Sequence, residues 1–422
     1  MKSGFSDSVM EQVRGRFAHV ESCPFEGRRV FFENAGGALT LNSVVETSAK
    51  FAAIPDNQGR ANGASRALVE LIERAKADMA LMMNAPEGAA GGQFFMGESG
   101  TELLFRLIMN ACLARRGQGQ VLSASLEHPA SRSAAARWAA EAELHHVVIA
   151  HDDATGTIAA AAYGEAVTED TVVATIVHTS PVTGMGVDVA AVSRAIRAKA
   201  PECLIIVDGI QHAAHGAIDL AAYDVDGYVI SPYKMFSRHG FGLAWMSPVL
   251  EAVAHNALEG GPALNWEMGT RDTGAYATLS DVCGYLEWLG GEVSGATERR
   301  ARIVAAGEAI HAQEKALSDA MIDGVGNLAG LREMERVTIL GGADNPAREG
   351  LVSLVVEGVP SAEVVERLNA AGIRTHLRKA DHYSGNILTP LGLEGCVRVS
   401  MCHYNSLQDV SQFLAVMKDI AE

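Results

Sequence analysis

The chain has 422 residues, enough for two domains and a substantial core, and with 48% hydrophobic and 20% charged residues its composition is that of a globular protein. A formal net charge of −17 with no clustered Lys/Arg run excludes a nucleic-acid backbone as partner, and no stretch of about 18 uninterrupted apolar residues offers a membrane span. The start MKSGFSDSVMEQVRGRF is polar and lacks the apolar centre of a secretion signal, so a cytoplasmic location is expected. Six scattered cysteines, Cys23, Cys112, Cys203, Cys283, Cys396 and Cys402, form no CxxC pair or metal spacing and read as reduced thiols.

An amphipathic helix and arm are expected from Met1 to about Arg29, after which Val30, Phe31 and Phe32 run into Glu33-Asn34-Ala35-Gly36-Gly37. Helices follow at Asn42 to Ala53 and Ser65 to Met83, the second with Leu68, Leu71, Ile72, Ala75, Met79 and Met82 spaced for a core face. A strand at Gln93 to Met96 leads into Gly97-Glu98-Ser99-Gly100-Thr101-Glu102 and a helix from Leu103 to Leu113. Small residues between strand and helix leave free backbone N–H groups at the positive end of the helix dipole, which makes an anion site. Strands at Val121 to Ala124, His146 to Ala150 and Val172 to His178 then alternate with helices at Ser131 to Glu143, Tyr163 to Val167 and Ala190 to Ala200, predicting right-handed crossovers and a mostly parallel sheet. No GxGxxG follows a strand and no GK[ST] loop occurs, so dinucleotide and P-loop readings lack their fingerprints.

The apolar run Leu204 to Val207 stops on Asp208, and the run Gly227 to Ile230 stops on Ser231-Pro232-Tyr233-Lys234. Buried parallel strands deliver such residues to their C-terminal edge, where ligands of open α/β sheets collect. Singly, an Asp at a strand end is more often a cap and a Lys more often solvated. Together they suit pyridoxal phosphate, which needs a lysine amine for its Schiff base and a carboxylate to keep its pyridine nitrogen protonated. Beyond them lie helices at Leu279 to Leu289 and Ala296 to Met321, a Gly341-Gly342 turn, helices at Ala362 to Ala371 and Leu407 to Ile420, and a strand at Cys396 to Cys402. Alternation in that strand puts Arg398, Ser400 and Cys402 on the face opposite Val397, Val399 and Met401. The expected division is an arm at 1–29 joining the small domain, a large domain at 30–290, and a small C-terminal α+β domain at 291–422.

Several stretches carry a resemblance in chain order: Glu127-His128, D-G-x-Q at Asp208 to Gln211, S-x-[HY]-K at Ser231 to Lys234, the G-x-G strand entry at Gly240 to Gly242, Glu267-Met268-Gly269-Thr270-Arg271-Asp272-Thr273, and Arg398 followed by Tyr404-Asn405-Ser406. From about Phe31 to the C-terminus the chain resembles the cysteine desulfurase branch of the class V aminotransferase family. The resemblance implies an α/β fold, pyridoxal-phosphate fold type I, with a mostly parallel sheet of the seven-stranded kind flanked by helices. It makes Lys234 the cofactor lysine, Asp208 the pyridine partner, His128 a ring-stacking proton carrier, and Gln211 the partner of the phenolic oxygen. Gly100 and Thr101 fall at the phosphate, and Ser231 and Tyr233 are further cofactor contacts. Thr270 reaches the phosphate of the other subunit, which implies a homodimer with shared active sites. Arg398 clamps the substrate α-carboxylate through a bidentate fork, and Asn34, Ala35 and Gly36 border the substrate.

Three departures bear on the reaction. Gly100 stands where relatives carry a hydroxyl, Pro181 replaces an asparagine, and no cysteine lies between Gly372 and Gly395, where a desulfurase keeps its persulfide nucleophile. The insert Asp381-His382-Tyr383-Ser384 instead resembles a less characterised desulfurase-like subgroup. The expected activity is therefore a pyridoxal-phosphate lyase acting on a small amino acid by C–S or other β-elimination, without a persulfide cysteine. An aminotransferase, an epimerase and a non-catalytic cofactor-binding assembly subunit stay open. No metal is expected.

Overall fold

Seven apolar runs between residues 93 and 246 form one sheet: β1 (Gln93–Gly97), β2 (Gln120–Ala124), β3 (His145–Ile149), β4 (Thr171–Val177), β5 (Leu204–Asp208), β6 (Gly227–Ile230) and β7 (Gly242–Met246). The structure, a computed structural model, describes residues 4–117, 119–270 and 272–422. The sheet order is β1-β7-β6-β5-β4-β2-β3. Neighbours from β6 to β3 are parallel, while β7 runs antiparallel to both β6 and β1. All five residues of β5 are buried, so the strand reads as a continuous apolar run rather than an alternating one. Because β1 and β6 both oppose β7, they point the same way, and the C-terminal ends of β1, β2, β5 and β6 share one edge.

Helices cover both faces. On one side Gly100–Ala114 and Pro129–Glu141 pack over β1, β2, β6 and β7 through Phe95, Leu103, Leu107 and Ala134. On the other, Tyr163, Val192, Ile205, Val207, Tyr228 and Leu279 belong to the largest apolar cluster. The helix expected from Leu103 begins three residues earlier, because the Ser99 hydroxyl accepts from the Glu102 amide at 3.1 Å and caps it. His128 likewise caps the next helix, with Pro129 in its first turn.

The C-terminal part holds a four-stranded antiparallel sheet of β8 (Val337–Ile339), β9 (Leu351–Val356), β10 (His376–Lys379) and β11 (Gly395–Ser400) in the order β8-β9-β11-β10. It packs on helices Arg299–Asp323 and Leu407–Ala421 through Leu317, Met321, Val352, Val397, Val399 and Phe413. Cys402, expected inside the last strand, falls two residues beyond it. The strand Val30–Phe31, expected to open the large domain, pairs in parallel with Ile373–Arg374 instead, and Val30 and Phe32 are buried in the C-terminal core. A two-residue strand carries no signal of its partner. Among the described residues no helix is long and apolar enough to cross a membrane.

Candidate active site

The edge shared by β1, β2, β5 and β6 gathers the titratable groups. Asp208 ends β5, 4% exposed, with Oδ1 accepting from the Ile210 amide at 3.1 Å. Burial raises its pKa to about 6, opposed by that hydrogen bond and by the Lys234 ammonium. Lys234 follows β6 in a short 3₁₀ turn, and its Nζ reaches Gln211 Oε1 at 3.3 Å. Burial pushes the amine down to about 7, helped by the Arg398 and Arg378 charges and resisted by Asp208. Gln211, itself buried, holds His215 Nε2 at 3.1 Å through its Nε2, so its amide is fixed from both ends.

His128 sits past β2, with Nδ1 accepting the Ala130 amide proton at 3.1 Å. That bond places the proton of the neutral ring on Nε2. Burial and the nearby Lys234, Arg378 and Arg132 charges lower its pKa to about 3. His128 is therefore a neutral donor at pH 7, which narrows the proton-carrier role that the resemblance implies.

On the facing sheet, Arg398 of β11 is 2% exposed, and its Nη1 donates to the Pro181 carbonyl at 2.9 Å, while its Nε has no partner among the described residues. Burial pushes it down to about 9, with the Arg378 charge adding to the effect. A Cβ on Gly36 would stand 3.7 Å from Arg398 Nη2, so that turn borders the guanidinium. Asn34 does something else. Its Nδ2 donates to the Ser400 carbonyl at 2.8 Å and to Asn405 Oδ1 at 3.2 Å, and its Oδ1 accepts from the Tyr404 hydroxyl. Those bonds use both Nδ2 protons and one Oδ1 lone pair, so Asn34 ties the arm to the C-terminal strand. The Ala35 amide is likewise taken by Ser400 Oγ at 2.9 Å.

At the head of helix Gly100–Ala114, the amides of Gly100 and Thr101 have no acceptor among the described residues. A methyl on Gly100 would overlap the Ser231 hydroxyl, and one on Gly242 would overlap the backbone of Ser99 and Gly100. Both glycines are thus required for this loop to lie against the sheet with Ser231 beside it. Thr101 is exposed, and Tyr233 stacks on His239 at 4.3 Å with its ring against Gly37. Thr270 is exposed on the segment before helix Thr273–Val293, and Arg271 of the same motif lies outside the described residues.

Unpaired amides, the Ser231 hydroxyl, a buried carboxylate and a half-neutral amine on one sheet edge fit the phosphate, pyridine nitrogen and aldehyde of pyridoxal phosphate. Sequence reasoning missed three groups here. Arg378 of β10 stands beside Arg398. The Pro181 carbonyl orients Arg398, and a backbone acceptor leaves no trace in residue type. Glu127, 1% exposed, accepts from the Ala124 amide and the Thr175 hydroxyl at 2.8 Å each, fixing the turn that presents His128.

Residues 30–413 match the aminotransferase class-V family. A nonribosomal peptide synthetase-like enzyme of Aspergillus fumigatus is 26% identical over 418 residues, 93% of this chain but 26% of that protein. A probable cysteine desulfurase of Pseudomonas putida is 29% identical over 231 residues, 51% of each chain. The chain thus spans about a quarter and about half of the lengths of these two relatives. The apo structure of a cysteine desulfurase from Thermococcus onnurineus superimposes with a TM-score of 0.78 at 20% identity, covering 93% of this chain and 94% of that one, a likeness of fold. The sheet, the cofactor-suited edge and the matched residues lead to one statement: this chain belongs to the class V aminotransferase family.

Proposed function

We propose that the enzyme is a lyase that expels the β-substituent of a small α-amino acid, a thiolate or comparable leaving group, without forming a protein persulfide. Pyridoxal phosphate, when bound, supplies the electron sink that makes the Cα proton removable. Arg398 holds the α-carboxylate through its fork. Lys234, with its pKa near 7, accepts the Cα proton. The Cβ–X bond breaks with its electron pair on X, and His128 donates a hydrogen bond from Nε2 to the departing group, which needs no strong acid when X is a thiolate. For a three-carbon substrate, water then converts the remainder to pyruvate and ammonia. The second reading, amino transfer to a 2-oxo acid, draws support from the same near-neutral Lys234, which can return the proton to a different carbon.

The observation that carries the reading is the state of the cysteines. Cys112, Cys203, Cys283, Cys396 and Cys402 are buried, and burial pushes Cys112 and Cys203 up to about 12 and Cys396 to about 11, far from a reactive thiolate. Cys23 alone is partly exposed, on the arm, 3.7 Å from an Arg374 guanidinium nitrogen. A variant with all six cysteines replaced by serine or alanine is expected to retain at least about half of the wild-type rate on the amino acid it uses. The assay follows pyruvate, ammonia, sulfide and amine transfer over a panel of amino acids with and without 2-oxo acids. Loss of product on Cys23→Ser alone, with the folded and cofactor-loaded protein intact, makes this a desulfurase with a relocated nucleophile.

The working unit that we propose is a cytoplasmic homodimer with Thr270 turned to the other subunit's phosphate. In support, the segment before Thr270 exposes Leu258, Leu264 and Met268, by 68, 52 and 39%, an apolar surface that suits a subunit contact. Purified protein is expected to sediment as a dimer. A stable, active monomer overturns the shared site.

A further inference from the structure

The face that presents Arg398 holds a second guanidinium. In the β10–β11 pair His376 opposes Arg398 and Arg378 opposes Cys396. Opposed residues of an antiparallel pair project from one face, so Arg378 and Arg398 are diagonal neighbours on it. Arg378 acts electrostatically on Lys234, His128 and Arg398 alike, which places it over the same cleft. Its Nε is buried with no hydrogen-bond partner among the described residues, and its guanidinium carbon lies 6.0 Å from the Tyr383 ring, whose centroid is 6.1 Å from that of His128.

The acids nearby are otherwise engaged. Glu33 pairs with His376 at 3.0 Å, and Asp381 is exposed and accepts the Tyr383 amide at 2.9 Å. A third guanidinium, Arg132, donates from Nε to the Glu127 carbonyl at 2.9 Å and from Nη2 to the His382 carbonyl at 3.3 Å. The Glu127 carboxyl does not offset it, because burial raises that group to about 8 and leaves it mostly neutral at pH 7. Arg132 and Arg378 therefore act on His128 together with Lys234, and Arg398 lies beside Arg378, whereas a simple amino acid brings one carboxylate. Arg378 is half-buried with the exposed Asp381 carboxylate acting on it but no carboxylate bonded to its guanidinium among the described residues, and its fork matches a planar or tetrahedral oxyanion.

We infer that the substrate is an α-amino acid with a second anionic group on a short side chain, a carboxylate, sulfinate or phosphonate, with Arg398 receiving the α-carboxylate and Arg378 the side-chain anion. This inference rests on the Arg398 role proposed above and names the substrate class of that same site. Its test is a titration of the cofactor-loaded enzyme, followed by the visible absorbance of the bound cofactor. Aspartate is compared with asparagine, 3-sulfinoalanine with serine, and 2-amino-3-phosphonopropionate with glutamine. At least one acidic ligand is expected to bind about ten- to a hundredfold more tightly than its neutral counterpart, the worth of one charge-assisted hydrogen-bonded pair. Which acid shows the preference identifies the anion. Arg378→Met is expected to bring that ratio to about one, and Arg378→Lys, which keeps the charge and loses the fork, to an intermediate value.

Equal binding of acids and neutral counterparts by the wild type overturns the inference without any variant. So does a ratio that survives in Arg378→Met. Acidic ligands bound with an Arg378-dependent preference but never turned over leave the inference standing and remove the β-elimination reading. Turnover confined to neutral amino acids does the reverse.

Discussion

Replacing Lys234 by alanine is expected to abolish the covalent product that borohydride forms between the protein and pyridoxal phosphate, and to slow turnover by roughly 10²–10⁴-fold. The residue combines a position at the end of β6 with surroundings that disfavour its charge. Burial and the Arg398 and Arg378 guanidiniums push the amine down to about 7 against the pull of Asp208. Only the unprotonated amine attacks an aldehyde, so capture of added pyridoxal phosphate by the wild-type apo-protein is expected to rise as the pH passes through about 7 and to level off above it. Labelling of another lysine in Lys234→Ala, found by peptide mapping, would move the site.

Asp208→Asn should keep its cofactor and lose about 10²–10³-fold in turnover, the range typical for removing one preorganised electrostatic group. The carboxyl is 4% exposed and its pKa is raised to about 6, still below neutrality, so at pH 7 it presents an anion inside the sheet edge. An amide of the same shape fills the space and holds no pyridinium proton. Near-normal turnover in this variant, with the bound cofactor's spectrum unchanged, assigns the proton-holding role to another group.

The sequence made Asp208 and Lys234 legible because their signal is local: an apolar run that ends on a charged residue reports a buried strand delivering that residue to an edge. The parallel core from β2 to β6 followed from the same alternation. The antiparallel insertion of β7 between β1 and β6 did not, since Gly242–Met246 is as apolar as its neighbours and residue type carries no strand direction. Arg378 and the Pro181 carbonyl stayed hidden for a related reason. One becomes part of the site only through the register of β10 on β11, the other through a main-chain atom. The resemblance places Asn34 beside the substrate, and the bonds it makes come from Ser400, Tyr404 and Asn405, far along the chain, where no local pattern reports them.

That last separation sets an order of assembly. Every strand that carries a cofactor-facing group lies between residues 93 and 246, whereas the guanidinium clamp requires Val30–Phe31 to meet Ile373–Arg374 and Asn34 to meet residues 400–405. Contacts that close so long a loop form late, after the cost in chain entropy has been met by the rest of the fold. On the ribosome, where domains fold as they emerge, the lysine pocket can take shape while the residues that choose its substrate have yet to be synthesised. A nascent chain of this enzyme would then capture its coenzyme first and acquire selectivity last.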